Sequence, residues 1–317
     1  IQRPTDTLEV WAMSYYDEIL LKNPDGLMNG RSIESIIKRC MPEIVNPMRL
    51  PESSYRYIVI GLTLATTGNK TTIRSTCEKC KEENAYDLDL QQFLDDYNRN
   101  FINEFDIENL KFTVGEATYR DIVDYRNNNY GLLKSITSIK KKPESSFNIK
   151  QLRDQLNKYR KNEIWLKSKR IKKIEAVGIP PIDTPADITS LLENFNKNIL
   201  AQIDNHFQIY QLEKIKDLKC NECGHVNKVT INLDPSDQFF KQIVSTDDND
   251  LEDLFTRLEN DVKVIRKEIA RLVWFMRGSV SYDQCMHMSP GERSSLDEVI
   301  KENIDIMKKT KNQVQLL

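Results

Sequence analysis

An α-rich α+β fold is what this sequence predicts, with helical domains arranged around a small element of paired strands. Three observations lead there. Across most of the 317 residues, apolar side chains recur every three or four positions, the period of a helix with one buried face. Two short stretches alternate instead, Tyr86, Leu88, Leu90 and Val229, Ile231, Leu233, as half-buried strands do. Each of these follows a Cys-x-x-Cys pair, Cys77–Cys80 and Cys220–Cys223, and each copy places an asparagine seven residues after its first cysteine (Asn84, Asn227).

Each copy therefore reads as an incoming strand, a thiol-bearing knuckle and a returning strand. Structural Zn²⁺ takes four soft ligands at tetrahedral corners, and a single Cys-x-x-Cys turn offers two from one side. Two knuckles complete the set. Cys77, Cys80, Cys220 and Cys223 are the expected ligands of one four-cysteine zinc ribbon, fully ligated and so closed to water or substrate. Gly224 and the two asparagines suit a tight turn that aims backbone N–H groups at the sulfurs. The alternatives are a thioredoxin-like redox pair or buried reduced thiols; a redox pair opens a helix, whereas strand residues follow each pair here. His225, next to Cys223, is expected at the surface rather than on the metal.

Along the chain, residues 7–21 put Leu8, Trp11, Tyr15 and Ile19 on one helical face, ended by Asn23-Pro24-Asp25-Gly26. Ser32 is expected to cap a helix bearing Ile33, Ile36, Ile37 and Cys40. Pro47 and Pro51 bracket a connection, and a helix over 53–67 stops at Gly68. Thr71–Thr76 leads into the first knuckle, followed by a short helix at 91–97, a strand at 110–114 and a helix at 117–140 that Pro143 breaks. Residues 148–176 read as one basic helix and Gly178–Pro185 as a loop. From Thr184 to Lys216 the stripe Ile188, Leu192, Phe195, Ile199, Ile203, Phe207 and Tyr210 nears a heptad seam. A helical hairpin or bundle is therefore expected as an insertion between the knuckles. A helix over Leu251–Arg277 closes at Gly278, and Ser281–Gln284 and Ser289–Glu292 have capping-box form. The last helix carries Leu296, Val299, Ile300, Ile304 and Met307. The domains expected are 1–70 (helical), 71–94 with 216–234 (knuckles), 95–215 (mixed, then helical insertion) and 235–317 (helical).

No run of apolar residues is long enough for a membrane helix, and no secretory signal is visible. The sequence opens at Ile1 rather than Met, which leads us to expect further residues upstream. Six cysteines, four in metal spacing, suit a reducing compartment; Cys40 and Cys285 sit among apolar neighbours and read as packing. A net charge of −2 gives no global attraction to nucleic acid. Locally, residues 148–175 hold ten Lys or Arg against three acids, and 234–261 nine acids against two bases, which are solvated helix faces or docking surfaces. Catalysis is not expected: there is no phosphate-binding glycine loop, no H-E-x-x-H and no G-x-S-x-G. His206, His225 and His287 are scattered, and in a chain that is 30% charged, pairs such as Asp95-Asp96 are commonplace.

Three further stretches carry a resemblance. They are Glu18-Ile19-Leu20-Leu21-Lys22-Asn23-Pro24-Asp25-Gly26-Leu27-Met28-Asn29-Gly30, then Leu62-Thr63-Leu64-Ala65-Thr66-Thr67-Gly68 running into the first knuckle and its Glu82-Glu83-Asn84-x-Tyr86-x-Leu88-Asp89-Leu90, and Asn232-Leu233-Asp234-Pro235-Ser236-Asp237-Gln238-Phe239-Phe240 after the second. Together they resemble the baseplate protein family of T-even-like contractile-tailed bacteriophages, its hub components and hub assembly factors. The resemblance covers residues 8–125 and 216–310 and is weak through 127–215. Glu78 stands where proline is common and Lys81 where glycine is. The resemblance implies a structural or assembly role in the tail hub, in the virion or in the host cytoplasm during assembly, with no cofactor beyond zinc. The partners implied are other hub or tail proteins, the tape-measure protein among them. The acidic 234–261 segment with Trp274, Phe275, Met276, Met286 and Met288 is the candidate partner surface. The alternative is a nucleic-acid-binding zinc ribbon using the basic 148–175 helix and Trp165; the knuckle loops, with Glu78, Lys79, Asn221 and Glu222, are not a basic stripe.

Overall fold

A computed structural model describes residues 8–97, 102–140, 149–208, 214–231 and 233–309. The expected break at Pro143 and the stripe residue Tyr210 lie outside them. Residues 8–14 are not helical: α1 (Tyr15–Leu20) starts only where the Asp17 carboxylate accepts from the Ser14 N–H (2.9 Å) and hydroxyl (2.8 Å). Trp11 lies in the run before it, its N–H donating to the Cys40 carbonyl at 2.9 Å. After α2 (Pro24–Met28), α3 (Arg31–Cys40) begins at Gly30, whose φ of 76° places it in the left-handed region. Ser32 is therefore not the cap but a buried residue of the first turn. A 3₁₀ turn at Pro47–Arg49 leads to α4 (Glu52–Thr67), closed by Gly68.

The antiparallel hairpin of β1 (Lys70–Thr76) and β2 (Glu83–Asp89) carries the first knuckle, and α5 (Leu90–Tyr97) follows. Next come β3 (Glu104–Ile107), β4 (Leu110–Val114), α6 (Tyr119–Lys140) and α7 (Ile149–Arg170). The expected basic helix over 148–176 ends at Arg170; the chain then forms β5 (Ile171–Ala176) and β6 (Ile179–Ile182). β3-β4-β5-β6 is an antiparallel sheet, so the insertion is not all helical. Pro180 and Pro181, read as loop signals, sit in the edge strand β6 between its two paired positions, Ile179 and Ile182, where the register shifts. The long helix expected from Thr184 to Lys216 is two: α8 (Pro185–Asn194) and α9 (Lys197–Gln208). Phe195 is extended, and Asn196 caps the restart by accepting from the Ile199 N–H at 2.9 Å. The second knuckle joins β7 (Lys214–Lys219) to β8 (Val226–Ile231), and α10 (Pro235–Ser245), α11 (Asp248–Phe275), α12 (Tyr282–Met286) and α13 (Pro290–Lys309) complete the described chain.

The cores follow this order. Ile33, Ile36, Ile37, Tyr55, Ile58, Leu62, Tyr119, Phe239 and Leu254 bring α3, α4, α6, α10 and the start of α11 around one centre. The sheet buries Phe112, Val114, Ile171 and Ile174 against Ile188, Leu192, Ile199, Ile203 and Phe207 of α8 and α9. The stripe that looked like a heptad seam thus covers a sheet face, with Ile164 of α7 in the same core. Tyr15, Ile265, Ile269, Leu272, Cys285 and Ile300 form a third core. A small fourth joins Ile60 of α4 to Leu88 of β2 and Ile231 of β8, seating both knuckle hairpins on one helix. Cys40 and Cys285 are packed in cores, and burial pushes the Cys40 thiol up to about 12, which keeps it inert.

Glu52, at the start of α4, is tied to the end of α7. It accepts from Arg170 and from Arg56, each at 2.6 Å. Burial disfavours its charge, yet the Arg170 and Arg56 guanidiniums bring the carboxyl down to about 2 from an ordinary 4.5. A carboxylate depressed in the folded state adds stability that is fully present above its unfolded value and is lost as pH falls through the folded one. Glu52→Gln is therefore expected to cost about 3 kcal/mol at neutral pH and almost nothing near pH 2. Urea unfolding of both proteins across that range checks it; a loss that does not shrink with acid would exclude the ion pair as its source.

Candidate metal centre

The two hairpins bring their knuckles face to face. The Sγ atoms of Cys77, Cys80, Cys220 and Cys223 all lie within 4.8 Å of one another. Two approaches cross between knuckles, Cys77 to Cys223 at 3.7 Å and Cys80 to Cys220 at 3.6 Å. A disulfide needs about 2.0 Å. Four sulfurs at about 2.3 Å from a tetrahedral Zn²⁺ are separated by about 3.8 Å. The spacing therefore fits a metal and not a cross-link.

Local backbone geometry repeats with the cysteines. In the first knuckle the Cys77 N–H donates to the Glu82 carbonyl (2.8 Å) and the Lys81 N–H to the Cys77 carbonyl (3.0 Å). In the second the Cys220 N–H donates to the His225 carbonyl (2.8 Å) and the Gly224 N–H to the Cys220 carbonyl (3.1 Å). Such a turn needs one left-handed residue. Gly224 provides it at φ 68°, and Lys81 adopts the same conformation at φ 64°. The departure from glycine at Lys81 thus leaves the turn intact, at the cost an L-residue bears there, about 1–2 kcal/mol.

The asparagines do something other than shape their own turns. Both lie on returning strands, buried, and reach into the opposite knuckle. Asn84 Oδ1 accepts from the Asn221 N–H (2.8 Å), and its Nδ2 points at the Cys220 sulfur (3.4 Å). Asn227 Oδ1 accepts from the Glu78 N–H at 3.0 Å. Their equal spacing from the first cysteine was the visible signal; that each serves the other knuckle was not.

Electrostatics at the cluster favour a cation. The Cys80 N–H, opposed by partial burial and helped by the Lys79 N–H and the Asn227 amide, brings the Cys77 thiol down to about 6. Cys220 is lowered in the matching way, first by the Cys223 N–H. Cys80 has the Glu82 N–H in its favour, yet burial and the sulfurs of Cys223, Cys220 and Cys77 hold it up at about 12. Crowded thiols do not all ionise, because like charges repel. A divalent cation among them removes that repulsion and leaves four thiolate ligands.

Other predicted groups lie elsewhere. His206 stacks on Phe105 and His287 on Tyr16, while His225 lends its carbonyl to the knuckle. A cleft of about 260 Å³ is lined by Asn29, Arg31, Glu34, Met48, Arg120, Val123, Asp124 and Asn127 and contains no histidine, cysteine or serine. Among the described residues no helix is long and apolar enough to cross a membrane.

Comparison with curated proteins and with solved structures returns no match. Residues 12–241 match the family described as T4 bacteriophage base plate protein. The matched span holds α1 through most of α10 and all four cluster cysteines, and it includes the 127–215 stretch where the resemblance was weak. With well over half its length inside that match, the chain belongs to the T4 bacteriophage base plate protein family.

Proposed function

We propose that this chain is a non-catalytic hub subunit or hub assembly factor of the phage baseplate, its two distant knuckles stapled by one structural zinc on Cys77, Cys80, Cys220 and Cys223. The observation that carries the zinc is the sulfur spacing, 3.6–3.7 Å across the knuckles. Four protein thiolates leave no coordination position for a substrate, which sets the metal to a structural task. Family membership supports the baseplate assignment. The partners are other hub and tail proteins, the tape-measure protein among the candidates, and the site of action is the virion tail or the host cytoplasm during assembly.

At the end of the basic stretch, Lys167, Lys169, Arg170 and Lys173 are taken up in pairs within the molecule rather than offered to nucleic acid. Lys167 pairs with Glu163 and Asp204, Lys169 with Asp121, Arg170 with Glu52 and Lys173 with Glu175. Lys169 also lies over Trp165, the residue considered for base stacking. Four of the ten bases of 148–175 are thus paired within the molecule, while Lys150, Arg153, Lys158, Arg160 and Lys161 are exposed.

The proposed partner surface divides. Met276, Met286 and Met288 pack against the third core, whereas Trp274 is 64% exposed and Phe275 39%. Removing residues 279–317 would strip Cys285 and Ile300 from that core, so point variants are the cleaner probe. Trp274→Ala/Phe275→Ala is expected to abolish co-precipitation with hub and tail proteins while thermal unfolding stays unchanged; retained binding would remove this surface from the proposal. Quantitative mass spectrometry of mature particles and assembly intermediates tests the role itself. A fixed small copy number in mature particles marks a subunit, presence only in intermediates marks an assembly factor, and absence from both overturns the proposal.

A further inference from the structure

The two asparagines form a crossed arrangement that the cysteines alone do not require. Asn84 belongs to the first hairpin and bonds the second knuckle twice, at the Asn221 N–H (2.8 Å) and the Cys220 sulfur (3.4 Å). Asn227 belongs to the second hairpin and accepts from the Glu78 N–H of the first knuckle at 3.0 Å. Each is also tied to its own knuckle, Asn84 Nδ2 to the Glu82 carbonyl (3.1 Å) and Asn227 Nδ2 to the His225 carbonyl (3.5 Å). Both residues are 3% exposed, so these bonds form out of competition with water. An amide suits the task because its oxygen can take a backbone N–H while its nitrogen donates to a sulfur or a carbonyl.

We propose that Asn84 and Asn227 are the positioning residues of the metal centre, each fixing the cysteines of the opposite knuckle so that the pairing of two distant segments and the geometry of the four sulfurs are set by the same two side chains. The inference rests on the metal reading above. N–H groups directed at ligand sulfurs spread thiolate charge and fix the direction of each sulfur, which is how groups outside the ligand set tune a metal site. The crossing also sets specificity of pairing. A knuckle lacking its partner leaves one amide oxygen and one backbone N–H without their crossing bonds, so one half-site is incomplete before any metal arrives.

Zinc transfer from the full-length, zinc-loaded chain to a chromogenic chelator, with cobalt-substituted spectra and far-UV circular dichroism, tests this. Asn84→Ala and Asn227→Ala are each expected to weaken zinc binding about 10–100-fold and to change the cobalt–thiolate absorption. Asn84→Asp, similar in shape, keeps an acceptor for Asn221 but turns an oxygen toward Cys220. It is expected to lose at least as much affinity with the fold retained, and it carries the test if the alanine variants do not fold. Leu88→Ala, which thins the small core beneath the hairpins, is expected to lower thermal stability while leaving the cobalt spectrum unchanged. Asparagine variants that bind zinc as wild type does, with an unaltered spectrum, overturn the positioning role alone. A wild-type chain that takes up no zinc overturns the metal reading and this proposal together.

Discussion

Stripping zinc from the chain, or replacing Cys220 with serine, is expected to produce the largest loss of stability available to a single change. The reason is the scale of the elements involved. Each knuckle hairpin has two strands of six or seven residues, and an isolated two-stranded hairpin is marginal in water. Among the described residues, the core beneath them buries Ile60, Leu88, Leu94 and Ile231, with Leu64, Ile73 and Leu233 at its edge. Structural zinc on thiolates supplies an apparent binding energy of about 10–16 kcal/mol, and where the site is assembled only in the folded chain that energy is folding energy. Scanning calorimetry with and without chelator should show a transition that moves sharply downward, with Cys220→Ser insensitive to added zinc. An unchanged unfolding temperature after demonstrated metal removal would sink the staple.

Second in size is Asp234. It sits three residues beyond β8 and anchors the second knuckle to the helical core. One carboxylate oxygen accepts from the Tyr55 hydroxyl (3.1 Å) and the Ser236 N–H (2.9 Å) as the cap of α10; the other accepts from Arg126 at 2.9 Å. The Arg126 and Asp234 side chains are 7% and 9% exposed. Removing one member of a buried pair costs about 3–5 kcal/mol. Arg126 keeps a second contact to Asp237 at 3.3 Å, which holds the loss to the lower end of that range, about 3 kcal/mol. Asp234→Ala is expected to lose that much, and Asp234→Asn somewhat less, because asparagine still caps the helix. Chemical denaturation gives both numbers. A loss below about 1 kcal/mol for Asp234→Ala would mean that the charge pair contributes nothing beyond the cap it shares.

How far these features were legible depends on the range of the forces behind them. The four cysteines, the strands after them, Gly68 and the capping boxes at Ser281 and Ser289 were readable because turn chemistry, capping and period-two alternation act over a few residues. The helix expected to run to Arg277 and close at Gly278 ends at Phe275, with Arg277 itself left-handed at φ 52°. Local readings failed where a competing signal was weak or tertiary. The apolar face of 7–21 outvoted the Ser14–Asp17 cap, so a helix was expected over residues 8–14, which are not helical. Continuous basic and apolar patterning hid the change from α7 to β5 at Arg170. The stripe from Ile188 to Phe207 was read without the Asn196 cap that divides it.

The sequence by itself determined the thiol set of the candidate metal centre: two Cys-x-x-Cys knuckles, one insufficient without the other, each with an asparagine at the same offset. It also determined the helix-rich class, since periodicity is a property of neighbours along the chain. Only the tertiary structure decided which groups cross between the segments. The sulfur pairs Cys77–Cys223 and Cys80–Cys220, the exchange of Asn84 and Asn227, and the ties from Arg126 to Asp234 and from Arg170 to Glu52 all join residues more than a hundred positions apart. Such contacts leave no periodic trace, because each depends on where two separately folded elements come to rest and not on the spacing within either.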